Sequence, residues 1–435
     1  MPNTEKWLLS PAKQPRHWLN VAALVKEEFP LPRDEAGNEV SQKQLESMYS
    51  TECARIELLA GPYREETQIE IPEFVGQLYA RYRPTPLFRA VGLERHLGYS
   101  GPILFKREDL NPSGSHKPNT AIPQAYYARE QGLRELITDT GAGQWGAALA
   151  WACWRAGLAS TVFMTRNSFI TKPYRPLLME LSSGTVHPSP SELTERGRAL
   201  LAADPEHVGS LGIGMGEALD TVMSRSNSRL ALGCMSYYAA LHQTIVGCEL
   251  VHQLESAEYE PDVLVGCVGG GTNLFGFAAP WIADGLQSGR APEIVAAESA
   301  NVPALTQGEY RYDFADSFAL TPKVLMYTLG HDFVPPHLHS AGLRYHGKSP
   351  IVSLLVRKGH IRPTAVSQDA AFAACRLFFE VEGILPAPES GHAIAAVLDE
   401  VTRAQLEGRI KTIVFCLSGT GYLDLEGYAS IFELR

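Results

Sequence analysis

Six short apolar runs, separated by longer stretches with helical periodicity, constrain the fold of this chain more than any other feature. The runs are Ile103–Phe105, Glu135–Thr138, Thr161–Met164, Val263–Val268, Ile294–Ala297 and Thr412–Leu417. Short strands that alternate with helices predict βαβ units, in which a parallel sheet is covered by helices on both faces. The length of 435 residues leaves room for two or three domains. We therefore expect an α/β protein.

Glycine-rich turns follow three of the predicted strands. They read TGAG at 140–143, VGGG at 268–271 and SGTG at 418–421. In open α/β sheets, ligands bind at the carboxyl ends of the strands, where such turns lead into helices. The sequence therefore predicts that the three turns share one site.

The turn in CVGGGTNLFGF is the richest in glycine. Gly269–Gly271 follow a buried strand and precede a helical pattern that starts near Thr272. Glycine lets the backbone approach a ligand closely, and free N–H groups at a helix start attract phosphate. The alternative is an ordinary turn that needs glycine only for its backbone angles. The spacing matches neither a dinucleotide fingerprint nor a P-loop.

Lys117, in SGSHKPNTAIPQ, directly precedes a predicted helix. A lysine at this end of a helix is electrostatically disfavoured, which lowers its pKa and suits a lysine that bonds covalently to a carbonyl group. The alternative is an ordinary surface lysine. Pro123 lies further into the same helix, where it removes the bond to the Asn119 carbonyl and should bend the helix.

A carboxylate and a small-residue turn adjoin in LITDTGAGQWGAALAWAC. Asp139 ends a strand, and residues 140–144 lead into an apolar helix. Their backbone N–H groups and the Thr140 hydroxyl predict a cradle for a carboxylate. Asp139 beside it is suited to general acid or base chemistry. The alternative is that Asp139 only caps the helix.

Several classes of function are disfavoured by composition. The net charge of −10 argues against nucleic acid or an anionic membrane as a partner. The 146–164 stretch contains Arg155, so we interpret it as a core helix followed by a strand and not as a membrane span. The first residues lack the apolar run of a secretion signal, and seven dispersed cysteines lack a C-x-x-C pair, which together indicate a reduced, cytoplasmic protein.

A histidine-rich stretch, LGHDFVPPHLHSAGLRYHGK, contains His331, His337, His339 and His346. Its prolines exclude regular helical spacing of the histidines, and no cysteine cluster accompanies them. We therefore interpret it as a structured loop near a site and not as a zinc centre.

Taken together in this order, the motifs resemble the fold-type II pyridoxal-phosphate enzymes, specifically the tryptophan synthase β-subunit family. The match runs from RPTPLFRA at Arg83 to LSGTGYLDL at Asp424. The N-terminal extension and the YTLGHDFVPP…GLRYHG stretch resemble the longer, type 2 branch. This resemblance implies two three-layer αβα domains with mostly parallel twisted sheets. The implied divisions are an N-terminal extension (1–78), a smaller mobile domain (117–238) and a larger cofactor-binding domain (79–116 and 239–435).

The resemblance also implies a role for each site residue. Lys117 matches the lysine that bonds to pyridoxal 5'-phosphate and moves the α-proton, and Asp139 matches the catalytic acid. Asp332 matches an acid involved in domain closure, with a possible K⁺ or Na⁺ ion nearby. The implied cofactor-binding residues are His116, Lys117, Gln144, Ser210, Gly269, Gly270, Gly271, Thr272, Asn273, Glu382 and Ser418. Thr140, Gly141, Ala142, Gly143 and Gln144 match the loop that holds the substrate carboxylate, and Trp145 is placed to wall the acceptor pocket.

One residue departs from the family pattern. The family has glutamate at position 139, and aspartate is shorter by about 1.5 Å. A misplacement of about 1 Å can cost on the order of 100-fold in rate. Three explanations stay open at this point: the backbone advances to compensate, the donor carries a leaving group that needs no proton, or the nucleophile is not indole.

The resemblance therefore implies an enzyme, a carbon–oxygen lyase of tryptophan biosynthesis. It would join L-serine, or an activated serine such as O-phosphoserine, to indole or a related nucleophile, giving L-tryptophan or an analogue. One alternative is β-elimination, as in a serine ammonia-lyase, or β-replacement with a non-indole nucleophile. Another is a cofactor-binding homologue without synthase activity. The type 2 resemblance also implies a homodimer that need not depend on an α-subunit.

Overall fold

The computed structural model describes residues 5–336 and 338–434. Its strands are β1 (Lys6–Trp7), β2 (His17–Leu19), β3 (Gln68–Glu70), β4 (Leu87–Arg89), β5 (Ile103–Arg107), β6 (Glu135–Thr140), β7 (Ala159–Thr165), β8 (Thr185–Ser189), β9 (Ser228–Leu230), β10 (Val263–Cys267), β11 (Glu293–Ser299), β12 (Glu309–Phe314), β13 (Lys323–Thr328), β14 (Arg362–Val366) and β15 (Ile413–Leu417).

The helices are α1 (Ala22–Val25), α2 (Gln42–Met48), α3 (Thr51–Glu57), α4 (Pro62–Glu65), α5 (Glu73–Tyr79), α6 (Val91–Leu97), α7 (Pro118–Glu130), α8 (Gln144–Ala156), α9 (Arg166–Thr171), α10 (Tyr174–Leu181), α11 (Glu195–Ala203), α12 (Leu211–Met223), α13 (Tyr237–Ala257), α14 (Thr272–Ser288), α15 (Ala304–Gln307), α16 (Pro350–Arg357), α17 (Gln368–Glu382), α18 (Pro388–Leu406) and α19 (Leu425–Ile431).

Two sheets form the framework. The large sheet has the order β1-β4-β5-β15-β10-β11-β14, and the small sheet has the order β8-β7-β6-β9. The small sheet is parallel throughout, whereas the large sheet has antiparallel pairs only where β1 and β4 join its edge. The strands of the small sheet all lie within 117–238. The fold class predicted from the sequence is confirmed.

All six predicted strands are present, because their residues are buried and apolar. β10 and β15 are buried along their whole length in the middle of the large sheet. A strand covered by helices on both faces has no polar side to interrupt its apolar run. The 146–164 stretch is helix α8 followed by strand β7. Within the described ranges, no helix has the length and apolar character that a membrane crossing requires.

The glycine turns convert strands into helices at one edge of each sheet. Gly143 precedes α8 with φ +93°, and Gly271 precedes α14 with φ +98°. These positive angles are strained for residues with a side chain, so glycine is needed at both positions. The helix N-termini therefore point toward the space between the two sheets.

Pro123 does not end or interrupt α7, which runs from Pro118 to Glu130. The proline removes the amide that would donate to the Asn119 carbonyl. The buried Tyr79 hydroxyl of α5 donates to that carbonyl instead. A side chain from outside the helix thus satisfies the backbone group that the proline leaves free.

The histidine-rich stretch forms a loop after β13. The Nδ1 atom of His331 lies 2.8 Å from an Asp313 oxygen, and Nε2 of His346 lies 3.0 Å from the Phe314 carbonyl oxygen. His337 lies outside the described residues. Over the rest of the chain, no group of three or more His, Cys, Asp or Glu side chains is arranged to hold a metal ion.

Candidate active site

Two adjoining cavities lie between the large and small sheets. We call the first the glycine cavity; it is lined by Ser115, His116, Lys117, Gln144, Cys234, Cys267, Gly269, Gly270, Gly271, Thr272, Asn273, Gly342, Leu343, Glu389, Ser418 and Gly419. We call the second the apolar cavity; it is lined by Lys117, Asp139, Thr140, Gly141, Ala142, Gln144, Trp145, Leu211, Met215, Leu232, Gly233, Cys234, Ala341, Gly342 and Tyr345. Both are lined by Lys117 and Gln144, so the site is one space with two compartments.

The turn after β10 forms one wall of the glycine cavity. A Cβ atom on Gly269 would lie 2.4 Å from the Gly342 carbonyl oxygen, and one on Gly270 would lie 2.7 Å from the Cβ atom of Cys234. Neither position tolerates a side chain. The turn therefore presents backbone to the cavity at the N-terminus of α14, an arrangement that binds anions.

Lys117 lies where the two cavities meet. It is the N-cap residue of α7, and its Nζ donates to the Gly233 carbonyl oxygen at 2.7 Å. Burial lowers the pKa of this amine, which increases its neutral fraction. The surface-lysine interpretation is therefore wrong.

Polar groups with unused hydrogen-bonding capacity lie around the glycine cavity. His116 Nδ1 and Asn273 Nδ2 are buried and have no hydrogen-bond partner among the described residues. Burial lowers the pKa of His116 to about 3, so its imidazole is neutral. The Ser418 hydroxyl lies 2.9 Å from that of Ser390, and its carbonyl accepts from the His116 amide at 3.0 Å. Ser418 thereby links the 418–421 turn to the start of α7.

Asp139 lines the apolar cavity, on the same side as Thr140–Ala142. Burial raises its pKa to about 7, and nearby Lys117 opposes this shift only in part. The N-cap of α8 is Gly143, and the side chain that accepts from the first turn of that helix is Thr140, whose hydroxyl accepts from the Gly146 amide at 3.2 Å. The capping interpretation of Asp139 is therefore wrong, and Asp139 is a buried carboxyl group that can hold or release a proton near neutral pH.

The rest of the apolar cavity suits a flat aromatic molecule. Trp145 forms one wall, and its ring nitrogen donates to the Thr138 hydroxyl at 2.7 Å, which fixes the ring. Leu211, Met215 and Leu232 add aliphatic surface. Sequence reasoning did not find these three, because they come from α12 and the segment after β9, far from the glycine motifs.

Comparison with known proteins agrees with this geometry. Residues 78–419 match the family model described as "Pyridoxal-phosphate dependent enzyme". The chain is 47% identical to tryptophan synthase beta chain 2 of Thermotoga maritima, over 97% of this chain and 98% of that protein. It is 45% identical to the protein of the same name from Aquifex aeolicus, over 97% of each. This chain belongs to the tryptophan synthase beta chain family. The predicted resemblance is confirmed.

Solved structures of related fold show how widely the framework is used. A fungal L-serine ammonia-lyase from Rhizomucor miehei superposes with a TM-score of 0.62 at 18% identity, over 80% of this chain and 97% of that chain. The T.th. threonine deaminase gives 0.59 at 20% identity, over 80% and 96%. At these identities the likeness concerns the fold alone.

The glycine cavity fits the pyridoxal phosphate of this family. The amides at 269–273 offer donors for a phosphate, and the side-chain nitrogens of His116 and Asn273 are free to meet it. Lys117 reaches the same cavity with an amine whose pKa is lowered. The donors for a phosphate, the closely approaching backbone and the Lys117 amine therefore lie in the same cavity.

The structure places Glu382 away from both cavities. Glu382 is the last residue of α17, and its carboxylate accepts from the Leu93 amide at 2.7 Å. The carboxylate in the glycine cavity is Glu389, which accepts from the Gly342 amide at 2.8 Å. The PES sequence at the start of α18 was an available signal, because proline and glutamate are both favoured in a first helical turn.

Three other predicted residues lie outside the lining of both cavities. Ser210 is the N-cap of α12, and its hydroxyl accepts from the Ile213 amide at 3.1 Å. Gly143 lies between the cradle residues and the Arg175 side chain. Asp332 is exposed in the loop after β13, so its closing role stays a prediction.

Proposed function

We propose that this chain condenses L-serine with indole to form L-tryptophan and water. The observation that carries the proposal is the position of Lys117, where the glycine cavity meets an apolar cavity that also holds Asp139. The names of the relatives and their near-complete coverage point to the same reaction. An activated serine such as O-phosphoserine is an alternative donor, and a related nucleophile would give an analogue of tryptophan.

Residues of the glycine cavity would hold the cofactor. Pyridoxal phosphate, when bound, supplies an electron sink that acidifies the α-carbon of an amino acid and allows its β-substituent to leave. The 269–273 amides bind the phosphate, and Lys117 provides the amine that bonds to the cofactor. Ser418, which lines the same cavity, would offer a neutral hydroxyl to the cofactor ring and so would give little support to a protonated ring.

Residues of the apolar cavity would act on the substrates. The amides of Thr140–Gln144 bind the carboxylate of serine, and Lys117 accepts the α-proton. Asp139, whose pKa of about 7 keeps it largely protonated in mildly acidic solution, donates a proton to the departing hydroxyl. The resulting carboxylate then accepts a hydrogen bond from the N–H group of indole, which is held against Trp145. The hydroxyl and the proton from Asp139 leave together as water. The proton that indole loses on substitution restores Asp139, and Lys117 returns its proton to the α-carbon.

A panel of amino-acid donors and acceptors, applied to the wild type and to Asp139→Glu, tests this function. We expect the cofactor-loaded wild type to form tryptophan from serine and indole, measured by chromatography. A higher rate in Asp139→Glu would show that the aspartate serves another donor or nucleophile, whereas a lower rate would show that it is adapted to this pair. Absence of tryptophan from every donor would overturn the proposal.

The short side chain of Asp139 supports a second candidate function, the β-elimination of serine to pyruvate and ammonia. Without a nucleophile correctly engaged, the amino-acid fragment left after loss of the hydroxyl would be released and hydrolysed instead of forming a bond to indole. Pyruvate release from serine that is faster than tryptophan formation, with indole present, would favour this function.

We further propose a cytoplasmic homodimer that acts without an α-subunit. All seven cysteines are free in the structure, as expected in a reducing compartment. Light scattering on the purified protein should give twice the chain mass of 47.6 kDa. A K⁺ or Na⁺ ion near Asp332 remains a proposal, and replacing these ions with tetramethylammonium during the assay tests it.

A further inference from the structure

Lys172, Arg175 and Asp424 form a buried ion cluster, which we call the Asp424 cluster. Lys172 Nζ pairs with one carboxylate oxygen of Asp424, and Arg175 Nη2 lies 3.2 Å from the other. The exposed fractions of the three side chains are 7%, 0% and 1%. Removing one member of such a buried group leaves a charge without compensation, so the three side chains depend on one another.

The cluster joins the two sheet-bearing parts of the molecule. Lys172 lies between α9 and α10, Arg175 lies in the first turn of α10 beside the small sheet, and Asp424 lies between β15 of the large sheet and α19. The paired residues are 252 and 249 positions apart in the chain. The cluster therefore resists separation of the small sheet from the large one.

The cluster also contacts the loop that would bind the substrate carboxylate. A Cβ atom on Gly143 would lie 2.6 Å from Cβ and 2.9 Å from Cγ of Arg175, so the arginine stem packs against the backbone at that glycine. Next to it, Gln144 Nε2 donates to Glu389 at 3.3 Å. The loop is thus held between an arginine stem and a carboxylate of the large-sheet part.

Asp424 is the group that orients Arg175. The Nε and Nη1 atoms of Arg175 are buried without hydrogen-bond partners among the described residues. Its one ion-pair contact within those residues is to Asp424. The position of the arginine stem against Gly143 therefore depends on that carboxylate.

We propose that the Asp424 cluster positions the 140–144 loop for substrate binding. The inference rests on the proposed function, because it assigns that loop to the amino-acid carboxylate. Amides that bind a carboxylate must keep their geometry within a fraction of an ångström. None of the three residues lines either cavity, so they are positioning residues and not catalytic ones.

Kinetics of Asp424→Asn and Arg175→Met test the proposal, because each removes the Arg175–Asp424 pair. We expect the KM for L-serine to rise about tenfold, equivalent to about 1.4 kcal/mol. The kcat at saturating serine should change less than about threefold, because excess substrate restores the binding geometry of the loop. Asp424→Glu should recover part of the loss. The matched control is Asp220→Asn, which breaks the half-exposed Arg196–Asp220 pair of 3.1 Å within the small-sheet part.

Hydrogen exchange of the cofactor-loaded enzyme without substrate gives a second readout that is independent of the reaction. We expect faster exchange of the amides at 140–146 in Asp424→Asn and Arg175→Met, but not in Asp220→Asn. Faster exchange in an enzyme that makes no tryptophan would leave the positioning role standing and would overturn only the proposed function. Arg175→Met should fold, because it leaves the Lys172–Asp424 pair balanced in charge, but it removes the contact that holds the arginine stem against Gly143. Unchanged exchange and an unchanged KM in Arg175→Met would overturn the positioning role.

Discussion

At the scale of single residues, the raised pKa of Asp139 predicts how kcat depends on pH. Its pKa is raised to about 7 because burial disfavours the carboxylate. If Asp139 donates a proton to the leaving hydroxyl, kcat should fall as pH rises through about 7. Asp139→Asn should lose this inflection and, since general acids contribute roughly 100- to 10,000-fold, most of the rate. The dependence of kcat on pH between 5.5 and 9 checks both points.

The same shift predicts how stability depends on pH. A carboxyl group whose folded pKa is raised keeps its proton in the folded state between about pH 4 and 7, whereas the unfolded chain has lost it. The stability that Asp139 contributes is therefore lost as pH rises through 7. Asp139→Asn should raise the Tm at pH 8 but not at pH 4, whereas the exposed control Asp399→Asn should change neither. An equal effect at both pH values would contradict the burial argument.

At the scale of elements, α7 shows how a distant side chain corrects a local defect. Tyr79→Phe should leave the Asn119 carbonyl without a donor and lower the free energy of unfolding by about 1–3 kcal/mol. The double variant Tyr79→Phe/Pro123→Ala should recover part of this loss, because an alanine amide can donate to the same carbonyl. Urea unfolding of both variants and of Pro123→Ala alone measures the coupling. Additive effects would show that the two residues do not share that carbonyl.

The elements that sequence reasoning missed have physical causes in common. β8 and β14 lie at sheet edges, are half-exposed and contain proline, so they lack the continuous apolar run that identifies β10 and β15. The sequence around residues 41–59 predicts one helical stretch, but in the structure it forms two helices, α2 and α3, separated by Tyr49 and Ser50. The local sequence pattern identifies central strands because all their residues are buried and apolar. It does not identify edge strands, because their residues are partly exposed and of mixed polarity.

The residues of the candidate site likewise divide into those with a distinctive local sequence and those without one. Lys117, Asp139 and the 269–273 turn were predictable, since each follows a strand or precedes a helix with a distinctive local sequence. VEGILPAPES contains both Glu382 and Glu389. Its PES sequence indicates that Glu389 begins a helix, but only the direction of α18 in the structure places Glu389 in the cavity. The Asp424 cluster was not predictable from the sequence, because Asp424 is about 250 positions from Lys172 and Arg175.

At the scale of the whole molecule, the N-terminal segment is part of the core and not an appendage. The Tyr237 hydroxyl on α13 accepts from the Ala22 amide at 2.8 Å and donates to Asn20 at 2.7 Å. Trp18 is fully buried in the same apolar cluster as Leu241 of α13. The segment 1–78 therefore shares its core with the helix that follows the small sheet, so the molecule should unfold as one unit.

Two variants test that continuity. Tyr237→Phe leaves the buried Ala22 amide and the buried Asn20 side-chain oxygen without their hydrogen-bond partner, so the free energy of unfolding should fall by about 1–3 kcal/mol. The control Tyr174→Phe, at a position 56% exposed, should have no effect. Deletion of residues 1–66 should abolish folding, because it removes Trp18 and exposes the apolar face of α13 that the segment covers. Circular dichroism and size-exclusion chromatography measure both. A truncated chain that unfolds cooperatively and binds pyridoxal phosphate would show that the extension is dispensable and that the core ends at α13.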